Sequence, residues 1–348
     1  MDNMHVHGKE TTRLAENQRK RQNYPIQSDL PIKRVYQREP INAASWAYMK
    51  LLRETSKIRK IYPVDPYLEV YQFRDNLYGF LAESADGMGD VWMYLILGPE
   101  KAMLIDTGFG IGDLKGLVHE LAGDREIIVV NTHDHFDHSH GNCQFDRVFC
   151  SEYEKPALEK QDAHIWDYLF EEDGVTGIWA EFDRRDIIDW KPYEIVGCED
   201  GTEFDLGDGY IVELIHMGGH TAGHAGFLDR HDRIFFAGDD VNSMRISVRG
   251  PRPGDICPEY ASINKLRKNF CRLEARLSEF DHVFSSHFIT DIESYVIISC
   301  RETCDAILED PVGCAQIIEV IEKWVNYGRY VQGLGTICYT SNAVYRDL

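Results

Sequence analysis

The sequence predicts an α/β layered fold, and three observations point there. Apolar runs of strand length interleave with longer segments of helical period along most of the 348 residues. No internal repeat or low-complexity tract interrupts them. Four strand-like runs end on histidine or aspartate, the pattern of loops gathered on one edge of a sheet to make a site.

Residues 1–62 read as an N-terminal arm and helix, and 63–348 as the main domain. The first forty residues are polar, rich in arginine and lysine, and broken by prolines; His5 and His7 lie there without a partner motif. "WAYMKLLRETSKIR" (46–59) suits a helix that Pro63 and Pro66 would stop. "YLEVYQF" alternates, "VWMYLIL" is continuously apolar, and "KAMLID" follows a "GPE" turn, which suggests a hairpin or meander with a buried face. "GFGIGDLKGLVHELAG" runs from a glycine-bounded loop into a helix with a Leu114/Leu117/Val118/Leu121 stripe, and "EIIVVNTH" is another buried strand. A strand at "RVFC", a helix-like "SEYEKPALEKQ", strand and turn signals over 195–238, a helical pattern over 261–280 and the strand "DHVFSSH" follow. Helical stretches are expected to about residue 327, and "GTICYTSNAVYR" reads as a terminal hairpin turning at Ser341-Asn342.

With 58 acidic against 37 basic residues, the net charge of −21 repels polyanions, so nucleic acid is not the expected substrate. The charged amino terminus lacks the apolar core of a secretory signal, and no window is apolar enough to span a bilayer. Nine scattered cysteines read as reduced thiols of a cytoplasmic protein. The expectation is a cytoplasmic protein acting on a small molecule, with no membrane partner; the N-terminal arm and helix are compatible with a homodimer.

The chemistry concentrates in "NTHDHFDHSHGN" (131–142). In an extended segment alternate side chains share one face about 6–7 Å apart. His133 and His135 can therefore converge on one ion. Asp137 and His138 lie where the chain should turn and point to a neighbouring position. His220 in "MGGHTAGHAGF", Asp239 in "IFFAGDD" and His287 in "VFSSH" arrive from other strand ends. A lone histidine in any of these places is most simply structural, but the joint spacing reads as a metal site.

"LIDTG" (104–108), "THDHFDH" (132–138), "GGHTAGH" (218–224), "AGDD" (237–240) and "SSHF" (285–288) together resemble the five ordered motifs of the metallo-β-lactamase superfamily. The resemblance runs from about residue 67 to about 290. It implies an αββα sandwich of two mixed sheets flanked by helices. By position, His133, His135 and His220 resemble the ligands of a first metal, and Asp137, His138 and His287 those of a second, with Asp239 bridging. Asp106 resembles the aspartate that orients the ligand loop. Two Zn²⁺ per chain are implied, with iron or manganese as alternatives. His140 stands where many members carry glycine; it is either exposed at a helix start, the favoured expectation, or pointed toward the pocket. Asp134 is expected to bond backbone or solvent, His224 and His282 to be structural, and Asp240 to stand behind the ligands.

The implied reaction is hydrolysis of an ester-like bond, such as a lactone or thioester, by a metal-bridging hydroxide, with Asp137 orienting it or accepting its proton. The resemblance is closer to the glyoxalase II and lactonase branches than to true β-lactamases, which usually lack an aspartate where this chain has Asp239. Lactonases often carry tyrosine where Asn242 stands. The flavodiiron branch carries glutamate at the His135 position. A mononuclear iron dioxygenase of the persulfide type on His133, His135 and His220, or a phosphodiesterase, is the alternative. Substrate choice is expected from a helical, aromatic-rich insertion over 152–195 (Trp166, Tyr168, Phe170, Trp179, Phe182, Trp190), either as a lid or as its own small core or dimer contact. Arg245, Arg249 and Arg252 are candidate anchors for a substrate carboxylate.

Overall fold

The computed structural model describes residues 48, 51–53, 55–83, 90–167, 182, 184–313, 315–321 and 324–344. His5, His7, Tyr168, Phe170 and Trp179 lie outside them. The chain divides into two compact units, the first Met1–Val148 with Lys160–Glu194, the second Phe149–Glu159 with Ile195–Leu348.

In the first unit, β1 (Arg59–Tyr62), β2 (Asp65–Arg74), β3 (Leu77–Ala82), β4 (Val91–Leu97) and β5 (Lys101–Ile105) form an antiparallel meander. Two of its turns are short enough to bring the next strand straight back: Asp75-Asn76 joins β2 to β3, and at the "GPE" turn between β4 and β5 the Gly98 N–H donates to Lys101 O at 2.8 Å. A parallel step then needs a crossover, which α1 (Leu114–Ala122) supplies before β6 (Glu126–Val130) pairs with β5. Asp113 caps α1 by accepting from the Gly116 N–H at 2.9 Å, and Leu114, Leu117, Val118 and Ala122 are its buried face. The one-turn α2 (Phe136–Ser139) follows β6, and the strand order continues through β7 (Arg147–Ser151) and β8 (Glu194–Cys198), an eight-stranded mixed sheet in sequence order whose last two strands begin in residues of the first unit and end in residues assigned to the second. A short α3 (Lys155–Leu158) takes the place of the longer helix expected after β7. The N-terminal helix stops early as well, since Thr55 is helical but Arg59 already lies in β1.

The second unit holds β9 (Glu203–Asp205), β10 (Ile211–His216), β11 (Ala225–Asp229), β12 (Ile234–Gly238), β14 (His282–Ser285) and β15 (Ile292–Glu293) in the order β15-β14-β12-β11-β10-β9. In this sheet, among the described residues, only the β12–β14 pair is parallel, and α4 (Ile263–Glu274) lies in that crossover. After α5 (Val296–Glu309) the expected helix to 327 is absent. The segment instead forms β16 (Gln316–Ile321) and β17 (Trp324–Tyr330), which join β18 (Thr336–Thr340) and the edge strand β13 (Arg245–Val248) in a four-stranded sheet. The terminal hairpin is correspondingly displaced: β17 and β18 pair across residues 331–335, and Ser341–Ala343 is a 3₁₀ turn. The class is α/β, mixed sheets with flanking helices, as the sequence predicts. Among the described residues no helix is long and apolar enough to cross a membrane.

Candidate metal centre

In the first unit the site begins at Asp106, directly after β5. Its φ of 63° is a left-handed backbone that few non-glycine residues adopt. One carboxylate oxygen accepts the Thr132 N–H at 2.8 Å. The other accepts the Thr132 hydroxyl at 2.8 Å and meets His138 Nδ1 at 2.9 Å. Because the Thr132 hydroxyl donates to Asp106, it can only accept from His133 Nδ1, 3.0 Å away. One aspartate therefore sets the tautomer of two histidines, leaving Nε2 of each for another partner.

Those Nε2 atoms face further ligand-type atoms. His133 Nε2 lies 3.0 Å from His135 Nδ1, and His138 Nε2 lies 3.5 Å from an Asp137 oxygen. The His133 and His138 rings are 4.1 Å apart, and both side chains are fully buried. β6 delivers the first pair and α2 the second.

In the second unit, His220 follows β10 on the glycine-rich loop, Asp239 follows β12, and His287 lies two residues beyond β14. His220 Nδ1 donates to Ser247 O at 2.7 Å, which turns its Nε2 toward Asp239 Oδ2 at 3.4 Å. The other Asp239 oxygen lies 3.3 Å from His287 Nε2. The two oxygens of Asp239 thus face two different imidazole nitrogens. Behind it, Asp240 accepts the His220 N–H at 3.1 Å, and His224 Nε2 accepts the Asp239 N–H at 3.1 Å. Both sets fit a borderline divalent ion, because His133, His138 and His220 each have one nitrogen held by an oxygen and the other turned to a ligand-type neighbour.

The family model of the metallo-beta-lactamase superfamily matches residues 86–268, more than half of the chain. The chain belongs to that superfamily. It is 32% identical over 161 residues to acyl-coenzyme A thioesterase MBLAC2 of Homo sapiens, covering 43% of this chain and 57% of the relative. It is 30% identical over 149 residues to hydroxyacylglutathione hydrolase GloC of Haemophilus influenzae, covering 42% of this chain and 64% of the relative. The match thus spans less than two thirds of either relative. A crystal structure of a metallo-beta-lactamase family protein from Thermus thermophilus aligns with 68% of this chain and 82% of its own at 20% identity and a TM-score of 0.49.

One expectation about the superfamily motif is corrected. His140 is buried, not exposed at a helix start: it caps the C-terminal end of α2, which carries the ring in beside Phe136 and Trp166 at centroid distances of 6.2 Å each. Burial pushes its imidazole down to about 4 against the pull of Asp137 and Asp134. Trp166 is fixed in turn by donating to Phe109 O at 2.8 Å, and Phe182 is buried in the same core. Of the insertion's aromatics, Trp166 and Phe182 thus pack into the core of the first unit and Trp190 against it.

Other groups carry no ligand-like signal and are legible only in the fold. Thr132 couples Asp106 to His133. Asn131, Asn142 and Thr107 form a buried chain around the motif: the Thr107 hydroxyl meets Asn142 Oδ1 at 2.8 Å, Asn142 Nδ2 donates to Asn131 Oδ1 at 2.7 Å, and Asn131 Nδ2 donates to His138 O at 3.2 Å. Asn131 and Asn142 flank the histidine run, so their signal was their position at its ends. The Ser247 carbonyl left none, since any residue supplies one. The Asp134 carbonyl accepts from Ser139 Oγ and Gln161 Nε2, and His282 Nδ1 lies 2.9 Å from Asp291.

Proposed function

We propose that the chain is a metal-dependent hydrolase that cleaves the thioester bond of a small acyl thioester. In this reading His133, His135 and His220 would hold one ion, Asp137, His138 and His287 would hold a second, and Asp239 would serve as a ligand to both. Two Zn²⁺ suit this mixed nitrogen and oxygen set. The observation that carries the proposal is Asp239, with one oxygen toward His220 and the other toward His287. A mononuclear iron site would leave His287, Asp137 and His138 without a task.

Bound metal would supply a water of lowered pKa and polarise the carbonyl oxygen. Asp137 orients the attacking water and takes its proton. Water oxygen bonds to the carbonyl carbon, the C–S bond breaks, and the products are a carboxylic acid and a thiol. A thiolate leaves readily near neutral pH, so no dedicated acid is needed at the sulfur. The thioester class is supported by the two relatives named as a thioesterase and a hydroxyacylglutathione hydrolase. The −21 net charge speaks against a polynucleotide phosphodiester.

The test is a panel of acyl-coenzyme A, S-acylglutathione, lactone and bis-aryl phosphodiester substrates, offered to zinc-loaded and chelator-treated protein. Thioester hydrolysis should vanish on chelation and return with zinc. Thioester turnover that survives complete metal removal overturns the proposal, as does turnover of the phosphodiester alone.

A further inference from the structure

Strand β13 holds a cationic strip against the loop that carries His220. It is the edge strand of its sheet, pairing in parallel only with β18. Its burial alternates: Ile246 and Val248 are fully buried in the core, whereas Arg245 and Ser247 are half-buried on the opposite face and Arg249 continues that face into solvent. Ser247 supplies the carbonyl that holds His220 Nδ1 at 2.7 Å. Arg245 and Arg249 thus flank, two residues to either side and about 7 Å along the strand, the residue that orients a candidate metal ligand.

Among the described residues, the guanidinium groups of Arg245 and Arg249 make no ion pair or hydrogen bond. In a chain where acids outnumber bases 58 to 37, that is unusual. In the same unit Arg230, Arg233, Arg267, Arg272, Arg276 and Arg301 each pair with a carboxylate at 2.5 to 2.8 Å. Arg252, three residues beyond Arg249, lies 3.6 Å from buried Glu154 and 3.9 Å from Asp255. Glu154 also accepts the hydroxyl of Thr221, next to His220, at 3.0 Å. The positive charge without a carboxylate partner is therefore that of Arg245 and Arg249, either side of the residue that holds His220, on a protein whose overall field repels anions.

We propose that Arg245 and Arg249, with Arg252 beyond them, bind the anionic groups on the thiol half of the substrate and so select thioesters of a phosphate- or carboxylate-bearing thiol. This rests on the thioester-hydrolase reading. Arg245 and Arg249 are the informative positions, because neither holds another side chain; Arg252 also neutralises Glu154, so its loss would disturb the loop.

The experiment measures equilibrium binding of S-methyl-coenzyme A and S-methylglutathione to the zinc-loaded full chain. It compares the native protein with the Arg245→Ala/Arg249→Ala double variant and the corresponding double lysine variant. Steady-state kinetics follow on an acyl-coenzyme A, an S-acylglutathione and an uncharged S-acyl-N-acetylcysteamine. The alanine variant should raise Kd and KM for the anionic ligands by about ten-fold, leave kcat within about two-fold, and leave KM for the uncharged thioester unchanged; lysine should restore most of the loss. Weakening confined to S-methyl-coenzyme A identifies phosphate as the group held, and weakening confined to S-methylglutathione identifies carboxylate. Equal binding by native and alanine proteins, no binding by the native protein, or equal KM increases for charged and uncharged thioesters overturns the strip. Loss of ligand binding in the variant without thioester turnover by the native protein overturns the hydrolase reading and leaves the strip standing.

Discussion

His224 Nδ1 lies 3.0 Å from Asp240 Oδ2, and neither side chain is exposed to solvent. Each partner also holds backbone next to the candidate ligands: His224 Nε2 accepts the Asp239 N–H, and Asp240 Oδ1 accepts the His220 N–H. An imidazole accepting at Nε2 carries its proton on Nδ1, facing Asp240. The pair therefore ties the His220 loop to the end of β12 without touching an ion itself. Asp240→Asn should lower metal affinity on the order of 10- to 100-fold while the fold is kept. Competition with a chromogenic chelator measures this; affinity equal to the native protein's would remove the pair from the support of the site.

Replacing Asp239 acts on the carboxylate itself. Asp239→Ala removes the group between His220 and His287, and turnover on the best thioester should fall by roughly 100-fold or more, beyond the usual cost of losing a mere partner of a ligand. Metal retained after exhaustive dialysis, measured by plasma mass spectrometry, should fall with it. Native metal content together with native turnover would show that Asp239 is not shared between two ions.

The residues that carry hard chemical preferences were legible in the sequence, and those that act through backbone were not. Asp106, His133, His138, His220, Asp239 and His287 stand out because they are ligand-type residues at strand ends. The strands β4, β5 and β6 were equally plain, as short apolar runs bounded by turn residues. Residues 316–330 misled because Ile317, Ile318 and Ile321 satisfy a helical period as well as a strand's, and only pairing with β18 decides between them. His140 misled because a histidine looks polar, whereas the end of a one-turn helix is set by what packs over it. In this chain that is Phe136 and Trp166.

Gly141, just after that turn, is required by close approach rather than by its backbone angle. Its φ of −79° suits any residue, but a β-carbon there would sit 2.1 Å from the Thr107 carbonyl oxygen. Thr107 cannot yield easily, since its N–H donates to His138 O at 2.8 Å and its hydroxyl meets Asn142. Gly141→Ala should cost about 1–3 kcal/mol and lower metal affinity as α2 shifts. Urea unfolding and chelator competition on the same protein give both numbers; a stability equal to the native protein's would mean that the Thr107 loop moves freely.

His216 sets an acid limit on stability. It is buried, its Nε2 lies 2.9 Å from Ala222 O, and burial, with the Lys265 ammonium second, pushes its imidazole down to about 4 from 6.5. A group with a depressed folded pKa leaves the unfolded chain holding more protons between those values, so stability present above pH 6.5 is lost as pH falls toward 4. The loss is roughly 3 kcal/mol for a shift of this size. Asp229 acts oppositely over part of the range: burial raises it to about 6, so its cost at neutral pH is relieved as pH falls from 6 toward 3.8. The His216→Gln variant keeps a donor toward Ala222 but cannot take up a proton. The stability gap between native protein and variant should therefore shift in the variant's favour between pH 6.5 and 4, read from urea unfolding at half-unit steps. A gap independent of pH across that window would mean that His216 is protonated equally in the folded and unfolded chains.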